Sequence, residues 1–135
     1  MHQVSGGFLI KKNKLLFGKR SKKKKWAPGT WDIAGGHALP GEDPVDTLKR
    51  ETLEEVGVTV LHAKLLASIV VPDENKNKDF MYHIYMITSW KGKVYNASHE
   101  HTKIRWFTRK QLAKRKLAMP EYMELIDDWF NSQEK

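Results

Sequence analysis

The 135-residue sequence predicts a single α/β domain. Segments of alternating or β-branched apolar residues, typical of strands, lie on both sides of one acidic segment with helical periodicity, and two further helical segments end the chain. The length is close to the commonest size of a single domain and allows a hydrophobic core without disulfides. We therefore expect residues 1–135 to form one domain.

The composition indicates a folded and basic protein. Hydrophobic residues make up 40% of the chain, yet no apolar run approaches the length of about 18 residues that crosses a membrane. The N-terminal segment lacks the order of basic and apolar residues of a signal peptide, so we expect a cytoplasmic protein. The absence of Cys excludes disulfides, a thiol nucleophile and a thiolate metal site. The net charge of +8, with Lys and Arg concentrated in residues 11–25 and 103–116, favours anionic partners. Because no apolar run could span a membrane, we expect no membrane partner.

The first part of the chain predicts a hairpin followed by a basic loop. Strands are expected at residues 3–10 and 14–20, with a polar turn at Lys12 and Asn13. Residues 21–29, SKKKKWAPG, form a loop whose four lysines either contact nucleic acid or are simply solvated. A short strand at residues 31–33 then leads into two glycines, which allow the backbone to approach a ligand.

The later elements follow from composition and periodicity. They are one long strand or two abutting strands at 58–71, a turn at 72–78, strands at 79–90 and 102–108, and helices at 109–116 and 120–133. This order of strands and helices is compatible with an α/β sandwich.

An acidic helix lies between the two sets of strands. Asp43 is a good N-cap, Pro44 suits the first helical position, and Gly57 supplies the stop. Four residues at helical spacing are expected to form its buried stripe: Val45, Leu48, Thr52 and Val56.

Three glutamates of this helix share a neighbouring face. Glu51, Glu54 and Glu55 stand at i, i+3 and i+4, and their face flanks the buried stripe, so we expect them to line a cleft. Because like charges repel, a cation is expected there, and Mg²⁺ or Mn²⁺ suits both carboxylate and phosphate oxygens. The pattern indicates phosphoryl chemistry, and a solvated acidic helix face is the alternative.

Residues 36–58 resemble the Nudix box, G-x5-E-x7-R-E-U-x-E-E-x-G-U, in which U is an aliphatic residue. The matching residues are Gly36, Glu42, Arg50, Glu51, Glu54, Glu55, Gly57 and Val58. The departure is Thr52 at a U position, which leaves every charged position intact. The resemblance implies an α/β/α sandwich with a mixed β-sheet, and Mg²⁺-dependent hydrolysis of a nucleoside diphosphate linked to another group.

The resemblance also implies roles for single residues. Implied metal ligands are the carbonyl of Gly35 and the carboxylates of Glu51, Glu54, Glu55 and Glu100. The catalytic residues are expected to be Glu51, Arg50 and Glu54, where Glu51 is either a ligand or the general base and Arg50 orients a glutamate. Glu42 is a weaker candidate, which would support the metal ligands without binding the metal itself.

Candidate substrate contacts lie outside the box. Lys19 and Arg20 resemble the paired basic residues with which MutT-type members reach substrate phosphates; a frayed basic strand end is the alternative. Trp26 either stacks on a base or anchors the loop by packing. Glu100 precedes Trp106 by six residues, as in the MutT arrangement of an additional metal-binding glutamate, whereas an ordinary loop carboxylate faces solvent.

These features favour a MutT-like nucleoside triphosphate pyrophosphohydrolase that releases pyrophosphate and a monophosphate. No Asn occurs near Glu121, where MutT spacing places its purine contact, and residues 74–76 lack the Tyr of dinucleoside polyphosphate relatives. An ADP-ribose or dinucleotide hydrolase and an RNA 5′-end pyrophosphohydrolase remain alternatives, the latter because of the basic charge. A non-catalytic nucleotide or nucleic-acid sensor of this fold usually loses box carboxylates, and all are present here.

Overall fold

The computed structural model describes residues 1–73 and 78–133. In chain order these residues form β1 (His2–Lys11), β2 (Lys14–Lys19), β3 (Trp31–Asp32), β4 (Ala34–His37), α1 (Pro44–Val56), β5 (Thr59–Asp73), β6 (Lys78–Lys91), β7 (Lys103–Phe107), α2 (Arg109–Leu112) and α3 (Glu121–Gln133). None of these helices has the length and apolar character needed to cross a membrane.

The described strands form one mixed sheet. Its order is β3-β2-β1-β6-β5, with β4 paired to β1 and β7 paired to β2. β1 runs parallel to β6 and antiparallel to β2 and β4. The β1–β2 hairpin turns at Lys12 and Asn13, whose φ angles of 51° and 63° give the left-handed turn that suits strand twist. The predicted hairpin is therefore confirmed.

Helices cover both faces of the sheet. Adjacent residues of a strand point to opposite faces, and Phe8 and Leu9 of β1 are both fully buried. Phe8 packs in a cluster that includes Tyr122 of α3, whereas Leu9 packs in a second cluster with Leu48 of α1. The α/β/α sandwich with a mixed sheet is confirmed.

The buried side of α1 differs in part from the prediction. Leu48, Thr52 and Val56 are buried as expected, but Val45 is exposed, and its assignment to the stripe was wrong. Glu55 is buried instead. The buried face is turned toward Glu55 because α1 packs against the glycine-rich strand β4 as well as β1.

β5 confirms the prediction of one long strand, with register shifts between Val60 and Ala63 and between Leu65 and Ala67. It continues to Asp73, two residues into the predicted turn, and residues 74–77 of that turn lie outside the described residues. Two other elements depart from the sequence-based expectation. The predicted helix at 109–116 ends at Leu112, because the following chain runs beside β3 and forms a bridge there. β4 was not predicted as a strand, since glycine is depleted in strands.

A buried hydroxyl network ties α3 to the sheet. The hydroxyl of Tyr122 donates to Asp32 Oδ1 at 2.5 Å, and the hydroxyl oxygens of Tyr82 and Tyr122 lie 2.8 Å apart. Asp32 Oδ1 also accepts from the backbone N–H of Ile33 at 2.8 Å. Burial raises the pKa of the Asp32 carboxyl. Tyr122 is thus the central member of the network.

We predict that Tyr122→Phe lowers the free energy of unfolding by about 1–3 kcal/mol, because Asp32 and Tyr82 each lose a buried hydrogen-bond partner. Urea unfolding followed by circular dichroism measures the change. Tyr95→Phe is the matched control, since the Tyr95 side chain is largely exposed and its variant should unfold at the wild-type midpoint. Equal midpoints for all three proteins would contradict the role of the network.

Candidate active site

The ends of α1 are fixed by local chemistry. The Asp43 carboxylate accepts hydrogen bonds from the backbone N–H groups of Val45 and Asp46, and Pro44 occupies the first turn. Gly57 ends the helix in the left-handed region with φ of 76°. These features confirm the predicted start and stop of the helix, and they fix which residues of α1 face the sheet.

Arg50 connects α1 to the loop that precedes it. Its Nε and Nη2 donate to the two carboxylate oxygens of Glu42 at 2.9 and 3.0 Å, a bidentate arrangement. Nη2 also donates to the carbonyl of His37, and Nη1 donates to Glu51 Oε1, both at 2.9 Å. The hydrogen bonds from Arg50 lower the pKa of the Glu42 carboxyl to about 2. Arg50 therefore holds the Glu51 side chain against this loop.

Glu55 is the buried carboxylate of the helix. Glu55 is only 4% exposed, and its Oε2 accepts a hydrogen bond from the backbone N–H of Gly35 at 3.0 Å. Burial raises the pKa of Glu55, and the negative charges of Glu51 and Glu100 raise it further. An ionised Glu55 is therefore unfavourable unless a cation lies close to it.

Two glycines of β4 allow this strand to pack closely on both sides. A Cβ atom on Gly36 would lie 2.5 Å from the carboxyl carbon of Glu51, far inside a normal contact. A Cβ atom on Gly35 would lie 2.3 Å from the carbonyl oxygen of Ser5 in the neighbouring strand β1. Glycine at both positions thus allows β4 to lie between β1 and the acidic face of α1.

Glu54 lies at the exposed edge of the same face. Its side chain is 55% exposed, and its nearest contact to Arg50 Nη1 is 3.5 Å. Unlike Glu51 and Glu55, it therefore keeps freedom to reorient.

The donor set fits a hard divalent cation. Carboxylate oxygens on one helix face and the adjacent backbone of β4 are the ligand types that Mg²⁺ and Mn²⁺ prefer. In residues 1–73 and 78–133, no three acidic or histidine side chains are already arranged around a common point. Arg50 Nη1 instead donates to Glu51 Oε1 at 2.9 Å and lies 3.5 Å from Glu54 Oε2.

A pocket of about 440 Å³ opens beside the carboxylates. Its apolar lining is Val4, Trp26, Ile33, Phe80 and Tyr82. Its polar lining includes Arg20, Lys24, Asp32 and Glu100, together with Gly35 and Gly36. An apolar slot with a few charged groups at one side suits a planar ring joined to an anionic chain.

Arg20 and Trp26 hold each other at the pocket. The Arg20 guanidinium lies 5.1 Å from the centroid of the Trp26 ring, and its Nε donates to the Trp26 carbonyl at 3.0 Å. Arg20 Nη1 also lies 3.5 Å from Asp32 Oδ2. The Trp26 ring meets Phe80 edge to face at 6.5 Å. Trp26 is therefore both packed and part of the pocket wall.

Glu100 and the lysine loop are joined across the pocket. Lys24 Nζ lies 2.8 Å from Glu100 Oε1, and this hydrogen bond lowers the pKa of Glu100. Lys19 lies on the opposite face of its strand from Arg20, with its Nζ 5.7 Å from the centroid of the Trp31 ring. The structure therefore brings Glu100 to the pocket but does not place Lys19 and Arg20 side by side in it.

Sequence reasoning missed three residues of the site. Asp32 has one sequence signal, a carboxylate within a short buried strand, whereas Phe80 lies in an ordinary apolar alternation. Lys24 cannot be distinguished by sequence from the other members of the four-lysine run.

The comparisons with known proteins agree on one family. The family model described as "NUDIX domain" matches residues 1–129. The chain is 34% identical over 90 residues to "8-oxo-dGTP diphosphatase" of Buchnera aphidicola subsp. Schizaphis graminum, a match that covers 67% of this chain and spans 65% of the relative's length. It is 25% identical to "CTP pyrophosphohydrolase" of Escherichia coli over 87% of this chain and 84% of the relative.

Solved structures share the fold. A MutT NUDIX hydrolase from Burkholderia pseudomallei superposes with a TM-score of 0.82 at 20% identity, over 93% of this chain and 95% of its own. The E. coli ORF135 protein superposes with a TM-score of 0.78 at 22% identity, over 98% of this chain and 91% of its own. Since the family model spans nearly the whole chain, this protein belongs to the NUDIX family.

Proposed function

We propose that this protein is a Mg²⁺- or Mn²⁺-dependent nucleoside triphosphate pyrophosphohydrolase, which releases pyrophosphate and a nucleoside monophosphate. The observation that carries the proposal is the buried Glu55, hydrogen-bonded to the Gly35 backbone and surrounded by the charges of Glu51 and Glu100. This arrangement is unfavourable by itself and becomes favourable with a divalent cation.

The names of the relatives support a triphosphate substrate. Two proteins similar to this chain are called 8-oxo-dGTP diphosphatase and CTP pyrophosphohydrolase, and both names describe nucleoside triphosphate substrates. The pocket supports the same class, because Trp26, Ile33 and Phe80 offer apolar contacts for a base while Arg20 offers a cation for a phosphate.

Each residue of the site has a proposed task. Glu51, Glu54 and Glu55, with the Gly35 carbonyl and Glu100, would hold the divalent cation. The cation, when bound, lowers the pKa of the attacking water and neutralises charge on the phosphates. Glu51 serves as a ligand or takes the proton of the water, and Arg50 orients it through the 2.9 Å hydrogen bond. Arg20 binds a substrate phosphate, and Trp26 contacts the base.

We predict that the products of deoxynucleoside and ribonucleoside triphosphate hydrolysis are pyrophosphate and a monophosphate. A phosphate assay run with and without added inorganic pyrophosphatase measures this, since pyrophosphate is detected only after its cleavage. Activity should require Mg²⁺ or Mn²⁺ and disappear with excess EDTA. Direct release of phosphate, or full activity in EDTA, would contradict the proposal.

We predict that Glu55→Gln lowers kcat by at least about 100-fold while the protein remains folded, because the amide keeps the shape of the side chain but cannot supply an anionic ligand. Steady-state kinetics and Mn²⁺ titration monitored by electron paramagnetic resonance measure the effect. Glu124→Gln, on the exposed side of α3, is the control. Wild-type kcat and Mn²⁺ affinity in Glu55→Gln would remove Glu55 from the ligand set.

We predict that Gly36→Ala lowers kcat by about 10-fold or more, because the new methyl group displaces the Glu51 carboxylate from its place beside β4. Stability should change little, since the displaced atoms are the end of a flexible side chain. Gly41→Ala is the control: φ is 77° there and no atom would lie within 4 Å of the added methyl group, so this variant should lose some stability and keep its kcat. A wild-type kcat in Gly36→Ala together with a reduced kcat in Gly41→Ala would disprove the steric role of Gly36.

A further inference from the structure

The two basic runs of the sequence meet on one face of the sheet. β2 and β7 pair antiparallel, and Lys19 lies directly opposite Lys103. Arg105 follows Lys103 by two residues and therefore points to the same face. Toward the other end of β2, this face is covered by α2 and α3 over Leu15 and Phe17. Arg105 is exposed opposite Phe17 at the edge of this cover, and Lys19 and Lys103 lie beyond it.

One indole ring lies beneath all three cations. Lys19 Nζ, Lys103 Nζ and the guanidinium carbon of Arg105 lie 5.7, 5.8 and 5.9 Å from the centroid of the Trp31 ring. Trp31 itself is buried, so the cations cover it from the solvent side. The electron-rich face of an indole attracts cations, which holds the three side chains together despite their mutual repulsion.

A fourth cation extends the cluster toward α2. The Arg115 guanidinium lies 5.3 Å from the centroid of the Phe107 ring, and Phe107 meets Trp31 edge to face at 4.9 Å. We call Lys19, Lys103, Arg105 and Arg115 the basic face. Lys103, Arg105 and Arg115 are exposed.

The basic face has no compensating carboxylate within the described residues. The ion pairs found in residues 1–73 and 78–133 involve Arg20, Lys24, Arg50 and Arg109, and none involves the basic face. Like charges directly opposite each other in an antiparallel pair destabilise the sheet. An external anion would therefore stabilise this arrangement.

We propose that the basic face binds a nucleic-acid strand through its phosphates. The cations are spread over two strands and the segment after α2, and Lys103 and Arg105 alone are separated by about 7 Å along β7. Three of the cations surround the Trp31 ring and Arg115 lies over the neighbouring Phe107 ring, so the cluster carries more positive charge than one phosphate group balances. A chain of phosphates can supply several contacts at once, and such contacts need only cations.

The basic face lacks the exposed apolar side chains that a protein or membrane partner would require. The large apolar side chains that are exposed in the described residues lie elsewhere: Met1, Leu39, Val45, Leu53, Leu61, Leu65, Val70 and Tyr95. A protein partner usually needs buried aromatic or aliphatic anchors, and a membrane-bound surface usually inserts apolar side chains. The basic face offers neither.

The basic face is separate from the hydrolytic pocket. Lys19 and Arg20 are consecutive, so one points to the basic face and the other to the pocket. Binding at the basic face therefore does not require the metal site and does not rest on the proposed hydrolysis.

The test is the fluorescence anisotropy of a 3′-fluorescein-labelled oligothymidylate with a 5′-hydroxyl end, titrated with the full chain in EDTA over a series of KCl concentrations. The variant Lys103→Gln/Arg105→Gln should bind about 10-fold more weakly at low salt. The slope of log affinity against log salt should fall by about 1.4, from about 0.7 for each lost phosphate contact. Nucleotide hydrolysis by this variant should equal that of the wild type.

The control variant is Lys49→Gln/Lys64→Gln, which removes the same charge from exposed lysines beside Val60 on the α1 and β5 side. It should keep most of the affinity and the slope. Equal losses in both double variants would show a net-charge effect and overturn the proposal. Unchanged oligonucleotide binding in Lys103→Gln/Arg105→Gln would also overturn the proposal. The same holds if the wild-type protein binds phosphatidylserine vesicles but not the oligonucleotide. Thermal unfolding confirms that both variants are folded.

Discussion

The close approach of α1 to the backbone of β4 is the constraint on which the site depends. Glu55 reaches the N–H of Gly35, and the Glu51 carboxylate occupies the space that a side chain on Gly36 would fill. Because β4 is also paired to β1, the two glycines join the acidic helix face to the central part of the sheet. A side chain on Gly36 would displace the Glu51 carboxylate, and a side chain on Gly35 would collide with the backbone of β1.

This approach concentrates negative charge, and the fold compensates for it with cations and apolar packing. Arg50 neutralises Glu42 and Glu51 on the outer side of α1. Leu48 and Val56 hold the helix against the sheet through fully buried contacts. Glu55 has no such cationic partner within the described residues: its burial raises the pKa of its carboxyl, and repulsion from Glu51 and Glu100 raises that pKa further. A site in which local interactions conflict with stability is expected where a protein keeps a group for chemistry rather than for folding.

Local signals explain what could be predicted from the sequence. The cap at Asp43, the stop at Gly57 and the glutamate spacing all act within a few residues, so the helix and its acidic face followed from the sequence. The exposure of Val45 could not be predicted in this way, because the face that a helix buries depends on the elements packed against it. The pairing of Lys24 with Glu100 joins residues far apart in the chain and had no local signal.

The separation of Lys19 from Arg20 shows how strand geometry divides the positive charge. In the pocket, Arg20 lies beside Asp32 and Lys24 pairs with Glu100, so each of these cations has a carboxylate close by. On the other face, Lys19 joins Lys103 and Arg105, which have no carboxylate partner within the described residues. The uncompensated part of the net charge of +8 therefore includes a face outside the pocket. It follows that the basic composition by itself does not report on the hydrolysed substrate, and that the two faces of β2 must be tested separately.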